Sequence, residues 1–243
     1  MQTELKGVIL AGGTGSRLMP LTKVTNKHLL PVGREPMIFH PLKKLTGAGI
    51  TRILIVTGTE HMGAIVQLLG SGKDFGCEFT YRVQDEAGGI AQALALAKDF
   101  TGDSRFVVIL GDNIFQDELA PFIESFREQP DGARVLLKEV LDPTRFGVPT
   151  IEGDRIVTIT EKPKQPATSY AVTGIYMYFP EVFDIIGTLK PSWRNELEIS
   201  DVNDHYARAG TLRFDILSGW WSDAGTFESI KRASELLEKQ PQQ

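Results

Sequence analysis

The chain has 243 residues, 42% of them hydrophobic and 23% charged, a composition typical of a globular protein rather than a disordered one. Its net charge of −5 is spread without long acidic or basic runs, which argues against nucleic acid as a partner, because a phosphate backbone requires a concentrated cationic surface. Cys77 is the only cysteine, which excludes an intrachain disulfide and a cysteine-based metal cluster and favours the reducing cytoplasm.

Apolar segments in this sequence are short. No apolar run reaches about 18 residues, and none precedes the first predicted strand, so we expect neither a membrane span nor an export signal. The last four residues, Gln-Pro-Gln-Gln at 240–243, are predicted to form a frayed tail.

Predicted strands and helices alternate in the first half of the chain. Strands are predicted over 5–10, 50–57, 78–83 and 106–110, and helices over 36–48, 61–69 and 89–100. Nearly continuous apolar strands separated by helices are typical of a doubly wound, mostly parallel, Rossmann-like α/β sheet flanked by helices. Ligands of such sheets lie beyond the carboxyl ends of the strands, so the loops at 12–17 and 111–113 are expected to face one crevice.

Beyond residue 115 the predicted elements become β-rich. Strands are predicted over 133–140, 147–151, 155–160, 170–178 and 212–217, and helices over 181–189, 198–209 and 226–238, the last with Thr226 as its N-cap. Neither a repeat nor a linker separates the two parts. We therefore predict one domain, with a nucleotide-binding half at 1–115, an inserted β-rich substrate-binding half at 116–226, and a C-terminal helix and tail at 227–243.

The loop after the first strand reads Gly12-Gly13-Thr14-Gly15-Ser16-Arg17. Glycine allows backbone N–H groups to approach and surround an anion, while Arg17, followed by Lys23 and Lys27, would supply positive charge. The loop contains neither the Gly-x-Gly-x-x-Gly fingerprint nor a P-loop, which argues against a dehydrogenase and a P-loop ATPase. We predict a phosphate site here, the alternative being an ordinary turn between a strand and a helix.

Two aspartates follow predicted strands. Asp112 comes after a buried strand and a glycine, and Asp223 comes after the strand predicted over 212–217. Together they could hold one Mg²⁺, which takes its remaining ligands from water and substrate phosphate. The alternative is that Asp112 caps a turn and Asp223 caps the last helix. The neighbouring phosphate loop favours the metal role for the pair.

A third group of candidates lies in the β-rich part. Glu161 and Lys162 end a predicted strand and could bind sugar hydroxyls and a phosphate, although an exposed ion pair is the usual explanation for such a dipeptide. Trp220 and Trp221 could form a floor for a sugar ring, but packing in the core is the favoured interpretation.

Two other groups of polar residues are predicted to take no part in binding or catalysis. Three carboxylates in helical register, at Glu196, Glu198 and Asp201, are predicted to form a solvated helix face. None of the four histidines is assigned to catalysis or zinc binding, because they do not cluster in the sequence.

Over nearly its whole length the chain resembles the sugar-phosphate nucleotidyltransferases. The resemblance is carried by ordered matches at 7–18, 26–32, 84–93, 110–113, 145–148, 161–163, 170–176, 196–203 and 221–226. It is strongest to the members that use dTTP and glucose 1-phosphate in the first step of dTDP-rhamnose synthesis. So many matches in order make the resemblance specific, whereas each motif alone would not.

The resemblance implies a role for each matching residue. The nucleotide would be bound by Leu10, Gly12, Gly13, Thr14, Gly15, Arg17, Gln84 and Gly89, with Gln84 and Gly89 at the pyrimidine base. The sugar phosphate would be bound by Gly147, Glu161, Lys162 and Val172, and Mg²⁺ by Asp112 and Asp223. The residues implied in catalysis are Arg17, Lys27, Asp112 and Lys162.

The activity implied is transfer of a deoxythymidylyl group between small-molecule substrates by a homo-oligomer. Two alternative hypotheses are a uridylyl or other nucleotidyl transfer to a different sugar 1-phosphate, and a non-catalytic nucleotide-sugar sensor. The chain departs from the family at Asn195, where Arg-Gly-Glu is common, and it ends soon after the last helix. Longer members carry a further helical segment for dimer packing and a regulatory nucleotide site, which weakens the expectation of such regulation here.

Overall fold

The computed structural model describes residues 4–239, so the predicted tail at 240–243 lies outside the described residues. Its strands are β1 (Lys6–Ala11), β2 (Pro31–Val32), β3 (Glu35–Pro36), β4 (Arg52–Gly58), β5 (Glu78–Gln84), β6 (Phe106–Leu110), β7 (Ile114–Phe115), β8 (Ala133–Glu139), β9 (Gly147–Glu152), β10 (Arg155–Glu161), β11 (Tyr170–Tyr178), β12 (Leu212–Ile216) and β13 (Trp221–Ser222). Its helices are α1 (Phe39–Gly47), α2 (Met62–Leu69), α3 (Ile90–Ala95), α4 (Lys98–Thr101), α5 (Ala120–Glu128), α6 (Val182–Ile186), α7 (Ile199–Ala209) and α8 (Phe227–Glu238). Within residues 4–239, no helix combines the length and apolar character needed to cross a membrane.

The predicted elements are present, with several differences. The short strands β2, β3, β7 and β13 were not predicted, and the helices predicted over 36–48 and 181–189 are shorter, forming α1 and α6. The helix predicted over 89–100 is divided into α3 and α4, because Leu96 and Ala97 donate to carbonyls three residues back and tighten the chain into a short turn. Helix α5 was absent from the prediction. It starts at an Ala-Pro pair and buries Ile123 and Phe126 on one side.

A doubly wound sheet forms the first half, as predicted. Strands β5, β4, β1 and β6 lie side by side and are all parallel. Alternate residues of β1 pack on opposite faces: Val8 contributes to a core with α3, α6 and α7, and Ile9 to a core with α1, α2 and α5. Because both faces are covered by helices, β1 is apolar almost throughout.

Strand β11 joins this parallel sheet to the β-rich part. It runs antiparallel to β6 over Ile175–Tyr178, and at Val172 it pairs instead with Gly147, the first residue of β9. Its other edge pairs with β8, which in turn pairs with β12. The sheet is therefore continuous through both parts of the chain, and the cleft lies where β11 changes partner. The division at residues 115 and 226 stays a prediction.

Helix α8 packs over the β2–β3 hairpin and β13. Thr226 is its N-cap, as predicted: its hydroxyl accepts a hydrogen bond from Ser229 N at 3.1 Å, and the Ser229 hydroxyl accepts one from Thr226 N at 2.9 Å. The cap residue lies three residues after Asp223, so this reciprocal cap anchors the loop that carries the aspartate.

Candidate active site

Two adjoining cavities open where the strands β1, β5 and β6 end. The smaller measures about 260 Å³ and includes, among the predicted site residues, Leu10, Gly12, Gly13, Thr14, Lys27, Gln84, Gly89 and Asp112. The larger measures about 540 Å³ and includes Arg17, Asp112, Gly147, Glu161, Lys162, Val172 and Asp223. Asp112 lines both. Gly15, also predicted to bind the nucleotide, lines neither.

The glycine loop has the close-packed backbone that its composition suggests. Gly15 adopts a left-handed conformation with φ 65°, and a Cβ there would lie 2.8 Å from the Thr22 methyl carbon. The Thr22 hydroxyl donates to the Gly15 carbonyl at 2.9 Å. At Gly12 a Cβ would lie 2.7 Å from Gln84 Oε1. Gly15 therefore shapes the loop, while Gly12 allows the loop to pass close to the end of β5.

A close ion pair lies at the boundary of the two cavities. Lys27 Nζ donates to Asp112 Oδ2 at 2.6 Å, and the two side chains are only 12% and 16% exposed. Burial by itself would raise the pKa of Asp112, but Lys27 and a hydrogen bond from Asn113 hold it below its ordinary value. The carboxylate is therefore ionised and directed by a neighbouring cation, although nothing in the sequence pairs two residues so far apart.

His28 presents a neutral ring to the smaller cavity. It is 1% exposed, and burial, followed by the neighbouring charge of Lys27, lowers its pKa to about 3. Its Nδ1 lies 2.7 Å from Asn26 Oδ1, an oxygen that also accepts from His28 N. Since an amide oxygen can only accept, Nδ1 carries the hydrogen. No role was assigned to His28 from the sequence.

Gln84 and Gly89 lie together at the far side of the smaller cavity. Gln84 Nε2 donates to the Gly89 carbonyl at 3.2 Å and to Gln92 Oε1 at 2.8 Å. Gly89 has φ 101°, and a Cβ there would meet the Leu197 backbone. The polypeptide before α7 thus closes over this glycine, which only a residue without a side chain permits.

In the larger cavity, Glu161 and Lys162 form an ion pair, with Lys162 Nζ 3.2 Å from Glu161 Oε1. The other carboxylate oxygen of Glu161 accepts from the Ser200 hydroxyl at 2.5 Å. Lys162 has φ 45°, a conformation uncommon outside glycine, while its N–H donates to the Phe146 carbonyl. Both side chains line the cavity and are partly exposed, so the ion pair is present, while ligand binding by these two residues stays a prediction.

The predicted solvated helix face is wrong for Glu196 and Glu198. Helix α7 starts only at Ile199, and Glu198 is buried, accepting from Arg194 Nε and Nη2 at 2.9 and 2.7 Å. Glu196 lies 2.8 Å from the same guanidinium. Burial would raise the pKa of Glu198, but Arg194 and Ser192 hold it below its ordinary value. Of the three carboxylates, Asp201 is exposed as predicted.

The departure from the family pattern at Asn195 has a conformational explanation. Asn195 has φ 59°, in the left-handed region where glycine is the usual residue and asparagine the best-tolerated substitute. The backbone turn between Arg194 and Glu196 is therefore kept without glycine.

Asp223 forms an ion pair with Arg145, a residue for which the sequence predicted no role. Arg145 Nη2 lies 3.1 Å from Asp223 Oδ2. Arg17 reaches the same loop, since a Cβ at Gly225 would lie 2.9 Å from Arg17 Nη2. Arg17 forms no ion pair with any residue between 4 and 239, which leaves its charge available to an anion. The only indication of a role for Arg145 in the sequence is that it begins the segment 145–148, one of those that carry the family resemblance.

Asn113 links the two aspartate-bearing loops. Its Nδ2 donates to Asp112 Oδ1 at 3.0 Å, and its Oδ1 accepts from Gly174 N at 2.8 Å and Trp221 Nε1 at 2.7 Å. It is 2% exposed. One buried amide thus connects the end of β6, the change of partner in β11, and β13. As predicted, Trp221 packs in the core, where its ring contacts Phe146.

Asp112 and Asp223 have the ligand chemistry that a divalent cation requires. Within residues 4–239 no group of three or more His, Cys, Asp or Glu side chains forms a metal cage. Asp112 and Asp223 nevertheless line the same cavity, and each carboxylate forms an ion pair with a cationic side chain, Lys27 and Arg145 respectively. One or two carboxylates completed by phosphate and water oxygens is the coordination that Mg²⁺ usually takes.

The chain is similar to known proteins over nearly its whole length. The family model described as nucleotidyl transferase matches residues 6–240. The low-salt glycan biosynthesis nucleotidyltransferase Agl11 of Haloferax volcanii is 42% identical over 235 residues, covering 96% of this chain and 66% of its own length. The glucose-1-phosphate thymidylyltransferase of Neisseria meningitidis is 42% identical over 240 residues, covering 96% of this chain and 83% of its own.

A solved structure is similar throughout. The crystal structure described as a glucose-1-phosphate thymidylyltransferase from Bacillus anthracis, in complex with sucrose, superposes with a TM-score of 0.94 at 59% identity. The match covers 98% of this chain and 97% of the other. The two chains therefore share their fold over nearly their whole length.

Proposed function

This chain belongs to the nucleotidyl transferase family, and we propose that it transfers a deoxythymidylyl group from dTTP to glucose 1-phosphate, releasing pyrophosphate. The observation that carries the proposal is the position of Asp112 between two cavities, one under the glycine loop and one lined by Lys162. The choice of substrates is supported by the names of the relatives from Neisseria meningitidis and Bacillus anthracis.

The nucleotide occupies the smaller cavity in this proposal. Backbone N–H groups of Gly12 to Gly15, with Arg17 and Lys27, bind the triphosphate, since they combine close approach with positive charge. Gln84 and Gly89 offer an amide and a carbonyl to the hydrogen-bonding edge of the pyrimidine, and Leu10 lines the same cavity.

The sugar phosphate occupies the larger cavity. Glu161 supplies a carboxylate for sugar hydroxyls, and Gly147 and Val172 line the wall beside it. Lys162, 39% exposed and directed by Glu161, binds the phosphate. Asp112 and Asp223 would hold Mg²⁺ together with phosphate oxygens, and the ion would neutralise charge on the phosphates that react.

The proposed reaction is an in-line displacement. A phosphate oxygen of glucose 1-phosphate forms a bond to the α-phosphorus of dTTP, while the bond from that phosphorus to the bridging oxygen breaks and pyrophosphate leaves with the electron pair. No side-chain nucleophile is needed, because the phosphate monoester dianion is already one. Lys162 orients the attacking phosphate, and Arg17 and Lys27 stabilise the charge that develops on pyrophosphate.

A pyrophosphate-release assay tests this function. It pairs dTTP, UTP, CTP and ATP with several sugar 1-phosphates, with and without Mg²⁺. We expect fastest turnover with dTTP and glucose 1-phosphate, and only in the presence of the ion. A preference for UTP would assign a uridylyl transfer instead, and silence under every combination would favour a nucleotide-sugar sensor.

We further propose that the protein acts in the cytoplasm as a homo-oligomer. The lone cysteine supports the location, and the family resemblance supports the assembly. Sedimentation of the purified protein measures the oligomeric state, and a monomer at every concentration would contradict it.

A further inference from the structure

The larger cavity contains an arginine, Arg145, whose only ion-pair partner among residues 4–239 is Asp223, at 3.1 Å. Its side chain is 42% exposed and lies over the Phe146 ring, 5.4 Å from the ring centre. Of the other basic residues of the cavity, Lys162 pairs with Glu161, Arg194 is bound by Glu196 and Glu198, and Arg17 forms no ion pair with any described residue. Two cations pair with the aspartates that are proposed to bind a metal ion. Arg145 is the more exposed of the two and lies farther from its aspartate, at 3.1 Å, than Lys27 does from Asp112, at 2.6 Å.

The backbone beneath Arg145 is anchored although its side chain is not. Asp142 Oδ1 accepts from Thr144 N at 3.2 Å and from the Thr144 hydroxyl at 2.6 Å, which caps the short turn at Pro143–Arg145. That turn leads directly into β9, whose first residue, Gly147, lines the cavity. The guanidinium can therefore change partners by rotating its own side chain, with no movement of the loop.

Asp223 cannot serve Arg145 and a divalent cation equally well. A dication bound at the carboxylate would repel a guanidinium 3.1 Å from the same oxygen. Once displaced, the guanidinium remains in a cavity that it shares with Lys162 and Arg194. Its planar fork of N–H groups matches a phosphate better than any other side chain does.

We propose that Arg145 exchanges partners: it neutralises Asp223 before the divalent cation binds, and it contacts the phosphate of the sugar substrate afterwards. The proposal depends on the proposed function in one respect, namely that a divalent cation and a phosphorylated sugar share this cavity. Arg145 is then a catalytic residue that delivers its charge only when the metal is in place.

The first test measures Mn²⁺ binding by electron paramagnetic resonance in the absence of substrates. Removing a half-exposed competing cation in Arg145→Gln should tighten Mn²⁺ binding roughly two- to five-fold. Arg208→Gln removes an exposed arginine that lines neither cavity and should leave Mn²⁺ binding unchanged. In an Asp223→Asn background the effect of Arg145→Gln should vanish. Unchanged or weaker Mn²⁺ binding by Arg145→Gln overturns the exchange.

The second test measures glucose 1-phosphate binding by calorimetry, with and without saturating Mn²⁺. Arg145→Gln should weaken the affinity roughly ten-fold with Mn²⁺ and little without it, since a charged hydrogen bond is lost only in the metal-bound state. Arg145→Lys, which keeps the charge but not the fork, should lie between. Equal weakening in both conditions, or none, overturns the proposal, as does a wild-type protein without affinity for glucose 1-phosphate. A wild-type protein that binds both ligands but releases no pyrophosphate refutes the reaction alone, because the exchange is judged by binding.

Discussion

The buried imidazole of His28 should make the protein less stable as the pH falls. Its pKa is lowered to about 3 in the folded protein, because burial and then Lys27 disfavour the charged ring, against an ordinary value of about 6.5 in the unfolded chain. Between these values the unfolded state binds a proton that the folded state does not. Stability therefore rises with pH in this window and is lost as the pH falls through the unfolded value.

The size of this effect follows from the two pKa values. Lowering the pH from about 7.5 to about 5 should reduce the free energy of unfolding by about 2 kcal/mol through His28 alone, because the unfolded side chain becomes almost fully protonated while the folded one does not. His28→Gln removes the titration and retains a polar side chain beside Asn26. The variant should therefore lack this part of the pH dependence, whatever its stability at neutral pH.

Urea unfolding of the wild type, His28→Gln and His205→Gln at the two pH values measures the difference. His205 is exposed, so its variant is the matched control for loss of a histidine. We expect the gap between wild type and His28→Gln to change by about 2 kcal/mol, and the gap to His205→Gln to change far less. Parallel stability profiles for wild type and His28→Gln would refute the reasoning, since other titrating groups cancel in the comparison.

Three further predictions concern the site and the residues that support it. Asp112→Asn should lower pyrophosphate release by about 10²–10³-fold and leave the circular dichroism spectrum unchanged; near-normal turnover would remove Asp112 from the metal site. Gly174→Ala should destabilise the protein by about 1–3 kcal/mol in urea unfolding, because a Cβ there would lie 2.5 Å from Asn113 Nδ2, whereas Gly47→Ala meets nothing within 4 Å and should not destabilise it. Asn195→Gly should be tolerated while Asn195→Val destabilises, as φ is 59°; equal melting temperatures for the two would contradict this.

The sequence by itself determined the fold class and the family. Nearly continuous apolar strands separated by helices already indicated a sheet covered on both faces, since local periodicity reports which faces are buried. The glycine loop and the ordered segments around Asp112, Lys162 and Asp223 carried the resemblance, because these features are contiguous in the chain. Even Thr226 was identified as a cap from its place before the last helix.

Only the tertiary structure decided which charges meet. Lys27 and Asp112 are 85 positions apart, and Arg145 and Asp223 are 78 apart. The first pair meets beside the end of β6, which lies next to β1 in the parallel sheet. The second pair meets because β11 joins β6 to β9 at the cleft and Asn113 ties the end of β6 to Trp221. The position of Glu198 could not be predicted from the sequence either. Its register in a predicted helix suggested a solvated side chain, but α7 starts only at Ile199 and the carboxylate is buried against Arg194. Periodicity describes one element at a time, whereas these pairings depend on how the elements are connected.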